Sequence, residues 1–137
     1  MEYSIHSDMT IGEADLIEQK LVEFAEQFTE PRNDREYGIV LRDAEGKVVG
    51  GITGNTIWDW LLIGSLWIEA EIRGKGFGHQ LLEQAEQLGR TRGCGFARLA
   101  TFEFEARKFY EAHGYTVFSQ HEDFPQGHTQ YYLSKKL

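Results

Sequence analysis

Apolar residues recur at helical spacing near the start of the chain, at Ile17, Leu21, Phe24, Ala25 and Phe28. Ahead of them, Thr10-Ile11-Gly12-Glu13 has the spacing of a capping box, with a hydroxyl at the cap and a carboxylate at its fourth position. Together these features predict one helix from about Glu13 to Phe28, with Pro31 closing the region. The pattern then shortens. Tyr37 to Arg42 and Lys47 to Thr56 read as strands of an antiparallel hairpin around the turn Asp43-Ala44-Glu45-Gly46. After a bend within Asn55 to Asp59, Trp60 to Glu69 is apolar almost throughout, which predicts a strand buried on both faces in the middle of a sheet.

A glycine-rich stretch follows, then a helix with Leu81, Leu82, Ala85 and Leu88 on one face, broken at Gly93-Cys94-Gly95. Phe96 to Phe102 predicts a further buried strand. Ala106, Phe109, Tyr110 and His113 mark the face of a short helix, and Gly114 is placed to end it. Tyr115 to His121 and Thr129 to Lys135 close the chain as a hairpin across Pro125-Gln126-Gly127. The order α, β-β-β, α, β, α, β-β predicts an α+β (α/β layered) fold, a mixed and mostly antiparallel sheet flanked by helices. No repeat, linker or low-complexity tract divides it, so residues 1–137 are expected to form one domain.

Composition narrows the picture. With 41% hydrophobic and 26% charged residues, the chain has the makings of a folded core rather than of a disordered segment. Its single cysteine, Cys94, excludes an intramolecular disulfide and fits a reducing compartment. The N-terminus lacks the pattern of a signal peptide, and no apolar run approaches the roughly 20 residues that span a bilayer, so a cytoplasmic protein is expected. A net charge of -8 argues against nucleic acid and anionic membranes as partners and would favour a cationic substrate, although it also serves solubility. His6, His79, His113, His121 and His128 show no metal-ligand spacing, so no metal is expected. Cys94 reads as a packed thiol.

The chemistry concentrates in Arg73-Gly74-Lys75-Gly76-Phe77-Gly78, between a strand ending Leu66-Trp67-Ile68 and a helix. Alternate glycines let successive backbone N–H groups point into one concavity, and the helix N-terminus adds its unpaired N–H groups and positive dipole end. That combination suits a phosphate. The P-loop is excluded because no Gly-Lys-Ser/Thr occurs, and the dinucleotide fingerprint because His79 stands where its third glycine belongs. By itself the triplet fits a tight packing turn equally well.

The wider pattern resembles a known family. Arg73-x-x-Gly76-x-Gly78 is similar to Q/R-x-x-G-x-G/A, the acyl-CoA loop of the GNAT superfamily of N-acetyltransferases. Leu66 to Gly78 resembles that family's central strand running into its cofactor loop. Ala106-Arg107-Lys108-Phe109-Tyr110-Glu111-Ala112-His113-Gly114-Tyr115 is similar to its A-x-x-[FL]-Y-x-x-x-G-[FY] segment. The resemblance covers nearly the whole chain and is strongest from about Leu66 to Tyr115.

What the resemblance implies is an acetyl-CoA-dependent acyltransferase, with a small-molecule or peptide amine attacking the thioester directly. The loop amides of Lys75, Gly76, Phe77 and Gly78 would bind the CoA pyrophosphate, with Arg73 and Gly74 at the entrance. The backbone of Leu66, Trp67 and Ile68 would bind the pantetheine arm, and an N–H near Trp67 or Ile68 would face the oxyanion. Tyr110 aligns with the tyrosine that protonates the leaving thiolate; its other reading is a core aromatic. Glu69, at the end of the central strand, is a candidate base beside Asp59 and a water chain. Trp58 and Trp60 would line an acceptor pocket or simply pack.

Two departures stand out. Gly64 and Ser65 occupy the strand where family members often carry an acid, and Glu103 stands where they often carry a cofactor-binding asparagine. Glu103 is therefore read as facing the acceptor instead, and His128 as a surface hairpin residue that could border the acceptor site. Such enzymes commonly dimerise, so a homodimer is among the expected states. The alternative reading is a non-catalytic CoA-binding or regulatory module of the same fold.

Overall fold

The structure is a computed structural model and describes residues 2–137. The chain forms two compact units, Met1–Arg32 and Asn33–Leu137. In the first, helix α1 spans Ile11–Ala25. Its capping box forms as predicted: Glu13 N–H donates to Thr10 Oγ1 at 3.2 Å, and Thr10 N–H donates to the Glu13 carboxylate at 2.8 Å. The Thr10 contacts hold the Glu13 carboxyl below its usual range. The helix begins and ends earlier than its apolar spacing suggests. Phe28 lies in the turn beyond it, its ring against Phe24 with centroids 5.4 Å apart. Ile17, Leu21, Phe24 and Phe28 are all exposed.

The second unit holds six strands and two helices. The strands are β1 (Arg35–Arg42), β2 (Val48–Ile57), β3 (Trp60–Ile68), β4 (Phe96–Phe102), β5 (Thr116–Glu122) and β6 (Thr129–Lys136). A 3-10 turn at Ala70–Ile72 follows β3, helix α2 spans Phe77–Thr91, and α3 spans Arg107–Ala112. One sheet contains all six strands in the order β1-β2-β3-β4-β6-β5. Only the β3–β4 pair is parallel, and α2 makes the crossover that such a pair requires.

The core lies on one face of this sheet. Leu81, Leu82 and Ala85 of α2 pack there with Ile52, Leu61, Ile63, Ala97, Leu99 and Leu133 of the strands, together with Tyr110 of α3. Ile52, Leu61, Leu82 and Leu133 are fully buried, each contributing about 1.5–3 kcal/mol relative to exposure. α2 also buries Glu86, whose carboxylate accepts Tyr115 Oη at 2.8 Å and Lys135 Nζ at 2.9 Å. An ion buried this deeply is tolerated because both oxygens are satisfied. Burial and the Glu86 carboxylate both push the Tyr115 phenol up.

The expectation that β3 is buried on both faces is corrected, and β4, expected as a buried strand, is buried on one face only. Along β4, buried Ala97, Leu99 and Thr101 alternate with exposed Phe96, Arg98 and Ala100, and Trp67 of β3 is 47% exposed. The helices of this unit cover one face only, so alternate side chains remain in the open. Among the described residues, no helix is long and apolar enough to cross a membrane. Cys94 is buried, and burial followed by nearby Asp59 pushes its thiol up.

Candidate active site

β3 and β4 pair only from Trp60↔Phe96 to Ile63↔Leu99, although both strands run on. The reason is local. Opposite β2 the register jumps from Thr53↔Ser65 to Gly54↔Ile63, leaving Gly64 as an extra residue on β3. Such a bulge bends its strand. Across it, a side chain at Gly54 is impossible, since a Cβ there would fall 1.9 Å from the Leu62 carbonyl oxygen. Beyond the bulge the two strands separate and a cleft of about 1460 Å³ opens between them.

One wall of the cleft is Ile63 to Ile68, continued by Arg73, Gly74 and Gly76 to His79; the other is Leu99 to Thr101, continued by Glu103 to Glu111. Ladder geometry sorts the backbone groups of the first wall. Glu69 N–H donates to Val49 O on the β2 side at 2.8 Å. Because direction alternates along a strand, Trp67 also turns its N–H and C=O toward β2, while Leu66 and Ile68 turn theirs to the cleft edge. The side chains do the opposite: Leu66 and Ile68 pack on the core and Trp67 projects from the other face. Trp67 is part of the cleft lining, but its backbone N–H is committed to the sheet.

At the end of this wall the chain turns sharply. Gly74 and Gly76 have φ of 79° and 89°, a region that disfavours side chains, and a Cβ at either would meet nothing within 4 Å. Gly76 caps α2, whose first intrahelical bond runs from Gln80 N–H to Gly76 O, so the N–H groups of Phe77, Gly78 and His79 precede the helical ladder. Arg73 ties the turn back to the strand, its Nε donating to Ile68 O at 2.8 Å. Lys75 is exposed and is the one residue of the loop outside the cleft lining. His79, which the sequence did not mark, lines the cleft with Nδ1 2.8 Å from Nε2 of His113 on α3; His113 Nδ1 in turn lies 2.7 Å from Phe109 O.

Tyr110 lines the opposite wall from α3, 5% exposed. Burial, with Glu105 nearby, pushes its phenol up to about 12. The ring packs edge-on against Phe109 and Tyr115, so its core reading and its cleft position hold together. Glu69 precedes the 3-10 turn and is not part of the cleft lining. Asp59 lies in the β2–β3 turn with Trp58, at the opposite end of β3 from the loop. Roughly 3.3 Å per residue over that strand keeps both far from Ile68. Trp60 stacks on Phe96, centroids 4.9 Å apart, at that same distant end. Neither tryptophan borders the cleft.

Comparison with known proteins identifies the family and the fold. The model of the acetyltransferase (GNAT) family matches residues 5–115. The chain belongs to the GNAT family. A blasticidin-S acetyltransferase of Streptomyces morookaense is 37% identical over 93 residues, 67% of this chain and 68% of that one. The crystal structure of an acetyltransferase from Bacillus cereus superposes with a TM-score of 0.91 at 31% identity, covering 98% of each chain. The PaiA N-acetyltransferase of Thermoplasma acidophilum, crystallised in complex with coenzyme A, shares the GNAT fold at a TM-score of 0.64. It is 20% identical and is matched over 88% of this chain and 70% of its own. The chain therefore has the GNAT acyltransferase fold, and it is an enzyme of the acyltransferase class.

Proposed function

We propose that the protein transfers an acetyl group from acetyl-CoA to a primary amine of a small molecule or peptide. The observation that carries this reading is the split between β3 and β4, which runs from an N–H-lined glycine turn to the buried phenol of Tyr110. The residues present fit CoA. The turn around Gly74 and Gly76 is open to a bulky anion, and the α2 N-terminus favours negative charge by about 0.3–1 kcal/mol, up to ~2 where partly buried. The cleft-facing edge offers the N–H groups of Leu66 and Ile68 and the Leu66 C=O, groups that an extended amide-bearing arm pairs with as an added strand would, while the Ile68 C=O already accepts Arg73 Nε.

In this reading Gly74, Gly76, Phe77 and Gly78 hold the pyrophosphate, with Arg73 and Lys75 supplying positive charge at its edge. The thioester supplies the electrophilic carbonyl. An N–H at Ile68 or Leu66 stabilises the developing oxyanion, and the Tyr110 hydroxyl, fully protonated at neutral pH, gives its proton to the departing thiolate. The Streptomyces relative, by name an acetyltransferase of blasticidin S, supports a small-molecule acceptor.

The test is incubation with acetyl-CoA and a panel of primary amines while free CoA thiol is followed. Thiol release that depends on the amine is expected. Measurable CoA binding with no thiol release for any amine would instead favour a binding module.

A further inference from the structure

Glu103 stands one position beyond β4 and lines the cleft. Its backbone N–H donates to Thr129 O at 3.2 Å, extending the β4–β6 ladder. Both carboxylate oxygens are engaged: Oε2 accepts Thr129 N–H at 2.9 Å, and Oε1 lies 2.5 Å from Nδ1 of His128, 25 residues away in sequence. Desolvation works against the charge, but the Thr129 N–H and His128 more than offset it, holding the carboxyl below its usual range. The His128 ring also sits edge-on to Phe104, centroids 5.1 Å apart, and Phe104 is itself part of the cleft wall.

The tautomer follows from the partner. An ionised carboxylate only accepts, so Nδ1 of His128 carries the proton, and Nε2 of the neutral ring keeps a lone pair. A carboxylate that fixes an imidazole's tautomer and stabilises its protonated form is the arrangement of an oriented general base. With both oxygens committed, Glu103 is suited to orienting His128 rather than to binding a ligand itself. The acceptor needs such a base, because an alkylammonium of pKa about 10 cannot attack while charged.

We propose that His128 is the general base that deprotonates the acceptor amine, with Glu103 as its positioning residue. The assignment rests on the acetyl-transfer reading above. The ammonium passes one proton to His128 Nε2 and becomes the neutral amine. Its lone pair forms the new C–N bond, the C–S bond breaks, and the CoA thiolate leaves. The remaining excess proton on nitrogen ends on that thiolate by way of Tyr110. His128, exposed at the hairpin, releases its proton to solvent, so each turnover liberates one proton.

Other ionisable groups lie on the same two segments. Glu105 accepts the Phe102 N–H, Arg107 pairs with Glu111, Asp123 accepts the Gly127 N–H, and His121 and Glu122 lie on β5. Their carboxylates favour a cationic acceptor.

The experiment uses H128Q, E103Q and E103D of the full chain, an amine found to release thiol, and kcat/KM from pH 5.5 to 9, with CoA affinity measured alongside. H128Q is expected to lose about 100-fold in kcat/KM at pH 7 together with the acid limb of the profile, and to keep its CoA affinity. E103Q should lose roughly tenfold, because an amide can donate as well as accept and no longer fixes the Nδ1–H tautomer of His128. E103D should recover part of that loss.

If wild type turns over and H128Q keeps its rate and its acid limb, the base assignment is overturned and acetyl transfer stands. If wild type binds CoA but acetylates no amine, the transfer reading fails and takes the base with it. One readout is independent of turnover: 15N spectra of the resting protein should show His128 as the Nδ1–H tautomer. An Nε2–H tautomer would overturn the proposal.

Discussion

The wall of the cleft that runs from β3 into α2 presents mainly backbone: the edge of Leu66 and Ile68, then N–H groups around two left-handed glycines. The opposite wall, from β4 through α3, presents side chains: Glu103, Phe104, Glu105 and Tyr110. The difference suits two tasks. A donor shared by many enzymes can be gripped through groups that every residue carries. An acceptor particular to one enzyme needs side chains, and in the proposed reaction the second wall and the neighbouring His128 would supply them. Substitutions in the two walls should therefore fail differently.

The largest effect is expected at Gly76. An aspartate there must adopt φ near 89° and puts a negative charge where phosphate would sit, so G76D should weaken CoA binding about 100-fold or more by calorimetry. A retained melting temperature would show that the loss is local. CoA affinity unchanged in a folded G76D would break the backbone side of the comparison.

Y110F, on the side-chain wall, should lower kcat about 100-fold while CoA affinity stays put. Full turnover in that variant would return Tyr110 to a purely packing role. The pH dependence has a definite sign. With its value raised from the ordinary 10 to about 12, the neutral phenol contributes stability fully below pH 10, and that contribution is lost as pH rises through about 12. The kcat profile of wild type should accordingly show no falling alkaline limb from Tyr110 up to pH 10.

The smallest effects sharpen the contrast. W67A removes a large side chain from the backbone wall but leaves its N–H bonded to β2, so CoA affinity should stay within about threefold. E69Q alters a carboxylate at the far end of β3's wall, away from the Glu103–His128 pair, and should leave kcat/KM within about threefold of wild type. A loss near 100-fold in E69Q would restore Glu69 as the base and displace His128.

Much of this was legible in the sequence because it is local. Helical spacing in Leu81, Leu82 and Ala85, the Thr10–Glu13 box, the turn residues and the glycine triplet each act over a few residues, and each formed. The resemblance of Leu66 to Tyr115 gave the family on the same basis. Continuous apolarity does not say how many faces are covered, so β3, expected to be buried on both, and β4, expected as a buried strand, are each buried on one face. The ends of α1 differ because a capping box at the start and a hydrogen-bonded turn at the end, with Phe28 N–H donating to Ala25 O, decide them rather than apolar spacing.

The tertiary structure decided what depends on register and curvature. The Gly64 bulge parts β3 from β4, and that parting turns a glycine turn into the end of a cleft. Pairing of Phe102 with Gln130 carries His128 to Glu103, and α3 docked beside α2 brings His113 to His79. No local pattern encodes such meetings, since a one-residue slip of β6 would turn its side chains to the opposite face. The sequence by itself determined how an anion could be held. Where a proton could go was decided only when distant strands met.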